Sequence, residues 1–317
     1  MNFMVASLGH FTALAIGATA MHLAALAITR QIHPLLAEKT GPGMQRGALT
    51  VLVLHNLPLL AVSLLLVGQG HSAMAMGVIL GTYLCQLLVA LPVAALIRPL
   101  VFNKNICTRL IPFLIIVCVC LFFFSIDAQW SRWDGGIFLL LAFIFSIIVI
   151  KPFIQDVPQP LGGTLSSPLS RIMIIIAALA ALGLGTWVST ASVCQLALWW
   201  HRSPAWLGLS IFSLALALPR AAYCIRTAQS GQMAPAVGYV IQHSLLGLLL
   251  ALGISGLWHP FAIFGSLHPE QTLDYWAVLM SGLILLAAVG LKSPRRLGLA
   301  KAIVLLALWA AWLGLRL

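Results

Sequence analysis

Arg220 lies within a long run of apolar residues, and two histidines, His55 and His243, lie in other runs of the same kind. An ionisable side chain left in hydrocarbon costs roughly several kcal/mol, so each of the three is a candidate functional residue. Arg220 could be a structural cation that donates to helix carbonyls in place of a metal ion and locks one conformation. Alternatively, the three residues form an anion- or proton-linked site, or Arg220 lies near a helix end and reaches out of the membrane.

The spacing of the histidines, methionines and cysteines gives little support for a metal site, a haem site or an enzyme active site. His10 and His22 lie twelve residues apart, which rotates them off a common helical face and disfavours a haem pair. The run His71-x-x-Met74-x-Met76 offers soft copper ligands, but methionines near a helix start are more often core residues. The six cysteines fit small apolar core residues. We therefore expect no metal site, no cofactor, no nucleic-acid partner and no enzymatic activity.

The composition indicates a membrane protein. Of 317 residues, 62% are hydrophobic and only 7% are charged, which leaves too little polar surface for a soluble protein. A bilayer-spanning helix needs about 20 mostly apolar residues, and such stretches follow one another along the chain. We predict ten spans, the first of them retained because no signal-peptide n-region precedes it. They fall near residues 5–29, 47–67, 72–98, 108–126, 135–153, 170–198, 204–228, 233–257, 273–291 and 299–316.

The net charge of +11 fits membrane topology better than nucleic-acid binding, because the basic residues are spread over many loops. The even-numbered loops hold only Arg132 and Arg202. The odd-numbered loops hold Arg30, Lys39, Arg46, Arg98, Lys104, Arg109, Lys151, Arg171, Arg226, Lys292, Arg295, Arg296 and Lys301. The positive-inside rule then predicts cytoplasmic odd loops and both termini outside, in a bacterial-type inner membrane. Trp130 and most other tryptophans fall near the predicted outer interface, which indole rings prefer.

A segment of the first half, residues 57–99, repeats in the second half at residues 218–260, a constant shift of 161 residues. This shift aligns Pro58 with Pro219 and Gly70 with Gly231 without a gap. Because each half has an odd number of predicted spans, the second copy enters the membrane from the opposite side. We predict a first five-helix repeat at 1–153, a linker at 154–169 and a second repeat at 170–317. Substrate sites in such proteins lie where the repeats meet, often at interrupted helices, which makes the two prolines candidates.

Four segments of the repeats carry a family resemblance. Residues 54–63 are LHNLPLLAVS, 77–86 are GVILGTYLCQ, 215–224 are ALALPRAAYC and 238–247 are GYVIQHSLLG. They resemble the sodium/calcium exchanger (cation/calcium antiporter) superfamily, in which G-T-S-L-P-E-L-A-x-S precedes a helix that begins like G-N-x-x-G-S-N-I-x-N. The resemblance implies an all-α polytopic membrane protein of two inverted five-helix repeats.

The same resemblance implies a changed site. The family binds its cation with a glutamate at the sixth motif position of each repeat, and those positions are Leu59 and Arg220 here. Calcium takes six to eight oxygen ligands, several of them anionic. The acidic residues all lie in predicted loops or at helix ends, namely Glu38, Asp127, Asp134, Asp156, Glu270 and Asp274. A positive charge about 4 Å from a cation repels it by roughly 4 kcal/mol at an effective dielectric of 20, so we expect no sodium/calcium exchange.

The candidate substrate- or ion-site residues are the polar residues at and near the matching positions, together with the two prolines. They are His55, Asn56, Pro58, Ser63, Tyr83, Gln86, Pro219, Arg220, Tyr223, Gln242, His243 and Ser244.

Two functions remain open. The loss of both glutamates favours a transport-inactive scaffold or subunit of a membrane complex, surrounded by the lipid bilayer and by partner membrane proteins. The polar residues retained at the same positions favour a secondary transporter of changed specificity, for a proton, an anion, another cation or a small solute.

Overall fold

The computed structural model describes residues 2–36, 41–149, 167–262, 277, 280–285 and 296–314. These residues are almost entirely helical. The helices are α1 (Asn2–Leu36), α2 (Gly41–His55), α3 (Leu57–Gly68), α4 (Ser72–Cys85), α5 (Leu91–Ile97), α6 (Ile111–Phe124), α7 (Arg132–Ile144), α8 (Pro168–Trp200), α9 (Pro204–Leu207), α10 (Ser213–Gln229), α11 (Met233–Trp258) and α12 (Leu299–Gly314).

Short π-helical turns extend or join several of these helices. Gln86–Ala90 connects α4 to α5, Ile106–Leu110 leads into α6, Phe145–Val149 continues α7, and Gly208–Phe212 connects α9 to α10. In the described part of the chain, six continuous helices are long and apolar enough to cross a membrane, and the bent pair α2–α3 makes a seventh. Most of the predicted ninth span, 273–291, and most of the predicted linker lie outside the described residues.

The helix boundaries repeat the 161-residue shift. The continuous segment from Ser72 to Ile97 and the helix α11 from Met233 to Trp258 begin and end at equivalent residues. Each is preceded by a glycine with left-handed backbone, Gly70 with φ 77° and Gly231 with φ 87°. This conformation suits glycine because it carries no Cβ. The predicted fold class is therefore confirmed, whereas the boundaries of the two repeats stay predictions.

Two short antiparallel strand pairs tie loops together at the ends of the bundle. The strand β1 (Leu100–Val101) pairs with β4 (Arg296–Leu297), and β2 (Gln129–Trp130) pairs with β3 (Phe261–Ala262). The first pair joins the third and ninth loops, and the second joins the fourth and eighth. Odd and even loops thus meet separately, as expected if they lie on opposite sides of a membrane.

The matched prolines have different effects on their helices. Between α2 and α3 the chain bends by 44° at Asn56, and Pro58 lies at the start of α3. Pro219 lies inside the continuous helix α10. The predicted interruption is thus found in the first repeat and is replaced by an uninterrupted helix in the second.

The core is formed by the central helices, and α1 and α8 lie against it as a closely packed pair. The Ser72–Ile97 segment and α11 are the most deeply buried spans, whereas α8 is largely exposed at its outer face. Gly17 on α1 faces Gly185 and Ser189 on α8, where an added Cβ would overlap both residues. Trp130 is fully buried and donates to the Leu252 carbonyl at 3.1 Å, so its indole ring contacts protein, and its position near the outer interface stays a prediction.

Candidate functional site

The guanidinium of Arg220 lies in the protein interior, where it is held by three uncharged acceptors. The residue is 4% exposed. Its Nε donates to His243 Nε2 at 3.0 Å, one terminal nitrogen donates to the His55 carbonyl at 2.8 Å, and the other donates to the Leu216 carbonyl. Arg220 therefore does not reach out of the membrane, and the side chain makes contacts within the bundle.

The two carbonyls that receive Arg220 are equivalent in the repeat. Leu216 lies 161 residues after His55, the same shift that relates Pro219 to Pro58. One carbonyl belongs to the bend between α2 and α3, and the other belongs to α10. A single guanidinium thus connects matching backbone oxygens of both repeats, at the point where the repeats face each other.

Aromatic and imidazole side chains surround this contact. His55 Nδ1 lies 3.0 Å from the Tyr239 hydroxyl. Tyr239 makes edge-to-face ring contacts with Tyr223, at a centroid distance of 4.6 Å, and with His243, at 5.7 Å. His22 on α1 lies close enough to Arg220 to interact with it electrostatically, and its Nδ1 bonds the Ala18 carbonyl at 2.7 Å.

Asn56 connects the helix bend to α11. Its Nδ2 donates to the Leu52 carbonyl at 2.9 Å and is 3.4 Å from the His243 carbonyl. Any side chain at Gly247 would overlap the Asn56 amide, so this glycine lets α11 approach the bend closely. Leu59, at the position of one lost glutamate, is 2% exposed and lies against the same glycine.

Several buried polar atoms around this contact, His22 Nε2 among them, lack a protein partner among the described residues. Because Arg220 donates to His243 Nε2, the neutral ring carries its proton on Nδ1, and this donor is unpaired. The Asn56 Oδ1 acceptor is also unpaired. Buried groups of this kind normally bind water or a ligand.

Other candidate residues form a second set of contacts between the repeats. Ser244 Oγ donates to Gln86 Oε1, which joins α11 to the π-helical turn after α4. Ser255 Oγ donates to Ser63 Oγ at 3.3 Å, which joins α11 to α3.

Not every predicted site residue belongs to the Arg220 contact. The Tyr83 hydroxyl lies 3.2 Å from Cys118 Sγ on α6. Gln242 is fully buried, and neither of its amide atoms has a partner in the described part of the chain. Because Gln242 directly precedes His243, its side chain lies on a different face of α11. Pro58 and Pro219 shape the backbone and bring no polar side chain.

Sequence reasoning missed His22 and Tyr239. The position of His22 beside Arg220 has no signal in the sequence, because neither periodicity nor spacing shows which helices meet in space. Tyr239 lies four residues before His243, which places both side chains on one face of a helix. This spacing was the available signal.

The described residues contain no cluster of three or more histidine, cysteine, aspartate or glutamate side chains able to hold a metal ion. Of the proposed copper ligands, Met74 and Met76 are buried in the core while His71 is exposed. The arrangement can donate hydrogen bonds and carries a positive charge, but it offers a cation only neutral oxygens.

An all-helical membrane protein built from two inverted repeats, with polar side chains collected where the repeats meet, has the architecture of a secondary transporter. The chain belongs to the sodium/calcium exchanger protein family, whose model matches residues 9–151 and 170–317. This is a family of transporters and not of enzymes.

Two curated proteins are similar over most of their length. The inner membrane protein YrbG of Escherichia coli (strain K12) is 24% identical over 285 residues, which is 86% of each chain. The putative antiporter CaxA of Alkalimonas amylolytica is 21% identical over 269 residues, or 82% of this chain and 83% of the relative.

Solved structures share the fold. The sodium-calcium exchanger NCX_Mj superposes with a TM-score of 0.64 at 16% identity, covering 97% of this chain and 99% of the exchanger. The H+/Ca2+ exchanger CAX gives a TM-score of 0.69 at 13% identity, with 98% and 81% covered. At these identities the likeness establishes the fold alone.

Proposed function

We propose that this protein keeps the exchanger fold but does not exchange sodium for calcium, and that it acts as a transport-inactive scaffold or subunit of a membrane complex. The observation that carries the proposal is the position of Arg220, whose guanidinium bonds the equivalent carbonyls of His55 and Leu216. In this arrangement a side chain takes the place of a bound metal ion.

Charge and ligand chemistry support the loss of cation exchange. The family's two glutamate positions hold a buried leucine, Leu59, and the positively charged Arg220. The guanidinium stays protonated at any physiological pH, so a calcium ion at the same carbonyls meets a like charge instead of two carboxylates. The remaining oxygens are too few and too weakly charged for calcium.

Hydrogen bonds between the repeats support a locked conformation. Alternating access requires one repeat or bundle to move against the other. Here Arg220 is bonded to both repeats. Further hydrogen bonds between the repeats join His55 to Tyr239, Asn56 to His243, Gln86 to Ser244, Ser63 to Ser255 and Cys85 to Ser213. Each bond would have to break or exchange partners in a transport cycle that moves the two repeats against each other.

A flux assay tests the proposal. The purified protein is reconstituted in proteoliposomes loaded with sodium, beside the sodium-calcium exchanger NCX_Mj and empty vesicles. We expect calcium uptake no greater than in empty vesicles. Sodium-driven uptake above that level, abolished by Asn56→Ala or Ser63→Ala, would show that the protein is an exchanger.

Purification in mild detergent tests the scaffold role. We expect a second membrane protein to co-purify in fixed ratio. We expect the same ratio for the Arg220→Lys variant. A protein that purifies alone from its native membrane, at several detergent concentrations, would contradict a subunit role.

A second function, transport with a changed substrate, is favoured by the unpaired His243 Nδ1 and Asn56 Oδ1. A donor and an acceptor at the repeat interface suit a small polar solute. This function predicts uptake of a labelled solute or anion that His243→Ala and Asn56→Leu both abolish. If a panel of protons, halides and small solutes gives no uptake, this alternative fails.

We also infer an inner-membrane location, supported by the apolar helices and by the likeness to YrbG. The basic odd-numbered loops support a cytoplasmic position for the end of the bundle that holds β1 and β4, and an outer position for both termini.

A further inference from the structure

The two ends of the helix bundle are built alike but carry different charges. The turn at Gly70 and the turn at Gly231 have the same left-handed glycine, one at each end. At the Gly231 end the structure exposes Arg98, Lys104, Arg109, Arg226, Arg296 and Lys301. The two acidic residues in the described part of the chain, Asp127 and Asp134, flank β2 at the opposite end.

Two arginines lie at helix ends next to the Gly231 turn, Arg98 after α5 and Arg226 in the last turn of α10. Helix α5 ends at Ile97, and Arg98 has an extended backbone with φ −150° and ψ 131°, which turns it away from the helix. Its Nη1 lies 3.6 Å from the place a Cβ on Gly231 would occupy. Arg226 lies in the last turn of α10, where its carbonyl accepts the Ser230 N–H at 3.0 Å.

The fold does not require these arginines. The residues equivalent to Arg98 and Arg226 at the Gly70 turn are His259 and Leu65, 161 residues away in each case. An ideal Cβ on Gly70 would meet no atom within 4 Å. The same turn is therefore made without guanidinium groups at the other end.

We propose that Arg98 and Arg226, beside the open Gly231 turn, bind the phosphate of an anionic phospholipid headgroup. Guanidinium groups pair with phosphate through two parallel N–H bonds, and exposed glycine leaves room for the phosphate. The turn lies at the end of two membrane-spanning helices, which is the depth of lipid headgroups. A lipid is therefore favoured over a free phosphate ion.

The test uses the full chain in nanodiscs of phosphatidylcholine, alone or mixed with phosphatidylglycerol, with thermal stability and lipid retention in native mass spectrometry as readouts. The variants are R98Q/R226Q and, as a control that removes equal charge at the same end, K104Q/R109Q. The melting temperature of each variant with phosphatidylglycerol is compared with its melting temperature in phosphatidylcholine alone, so a general loss of stability does not affect the comparison.

We expect phosphatidylglycerol to raise the melting temperature of the wild type and of K104Q/R109Q, and this shift to be lost in R98Q/R226Q together with the retained lipid. An equal shift in all three proteins would overturn the site in favour of unspecific attraction. An equal shift from inorganic phosphate added to phosphatidylcholine discs would overturn the lipid assignment.

Discussion

Burying the guanidinium of Arg220 removes it from water, and each hydrogen bond it makes inside the bundle offsets part of that cost. Its acceptors are all neutral: two backbone carbonyls and the imidazole of His243. The fork shape of the guanidinium matters because three acceptors in different directions must be reached at once. An ammonium group keeps the charge but not this geometry.

We expect Arg220→Ala to lower the melting temperature more than Arg220→Lys does. The alanine variant leaves the His55 carbonyl and His243 Nε2 without a donor, and an unpaired buried group costs about 1–3 kcal/mol. Thermal unfolding in detergent measures the effect. Low concentrations of methylguanidinium should partly restore the alanine variant and leave the wild type unchanged. Identical melting temperatures for all three proteins would contradict an interior structural role.

The double variant L59E/R220E should acquire calcium-dependent stability. It places a carboxylate at both motif positions and frees the His55 and Leu216 carbonyls, which supplies the oxygen number and charge that calcium prefers. A ligand at about 100 times its Kd stabilises by about 2.7 kcal/mol, which is measurable as a thermal shift. The single variant L59E, with Arg220 in place, is the control. A folded double variant that calcium does not stabilise would mean that the site differs by more than these two residues.

The sequence was sufficient to select Arg220, because a charge in an apolar run is visible without a structure. It was not sufficient to place Gln242 and Tyr83 away from the contact, nor to add His22 and Tyr239. These depend on which faces of different helices meet, and that is decided by packing between distant segments.

At the scale of helices, the two matched proline segments differ in shape: the first is bent and the second is a continuous helix. One neighbouring side chain accounts for this difference. Asn56 is equivalent to Ala217 in the repeat. The Asn56 amide bonds the Leu52 carbonyl of the preceding turn and occupies the space left by Gly247, which alanine cannot do. We attribute the 44° bend of the first repeat, and its absence in the second, to this difference.

The α1–α8 pair gives a prediction at the same scale. Gly17→Leu should destabilise the protein by about 1–3 kcal/mol, because the new side chain overlaps Gly185 and Ser189. Gly9→Leu, on the same helix, is the matched control, since nothing lies within 4 Å of its Cβ. Comparable melting temperatures for the two variants would show that the pair separates without cost.

At the scale of the whole molecule, the constant shift predicted the repeat and the matching of Ser72–Ile97 with α11, because a gapless alignment preserves the length of the aligned segment. It could not predict the strand pairs that join β1 to β4 and β2 to β3, since two-residue strands have no periodicity. These pairs place loops from different repeats at the same end.

The inverted repeat predicts opposite accessibility for equivalent positions. Gln69 and Ser230 are both exposed and lie 161 residues apart, each next to its left-handed glycine. In a background lacking native cysteines, Gln69→Cys should react with an impermeant maleimide in intact cells, and Ser230→Cys only after permeabilisation. Labelling of both from the same side would contradict the inverted topology, and the reverse pattern would invert the orientation.

The covalent bond between the guanidinium and α10 also decides how the centre of the protein responds to its surroundings. A dissolved ion fills a site according to its concentration and leaves on dilution. A charge attached to the chain has no dissociation step, so mass action does not apply to it. Dialysis, chelators and changes of salt that empty an ion-binding protein should leave this centre occupied, and its conformation should not follow the ion gradients of the cell.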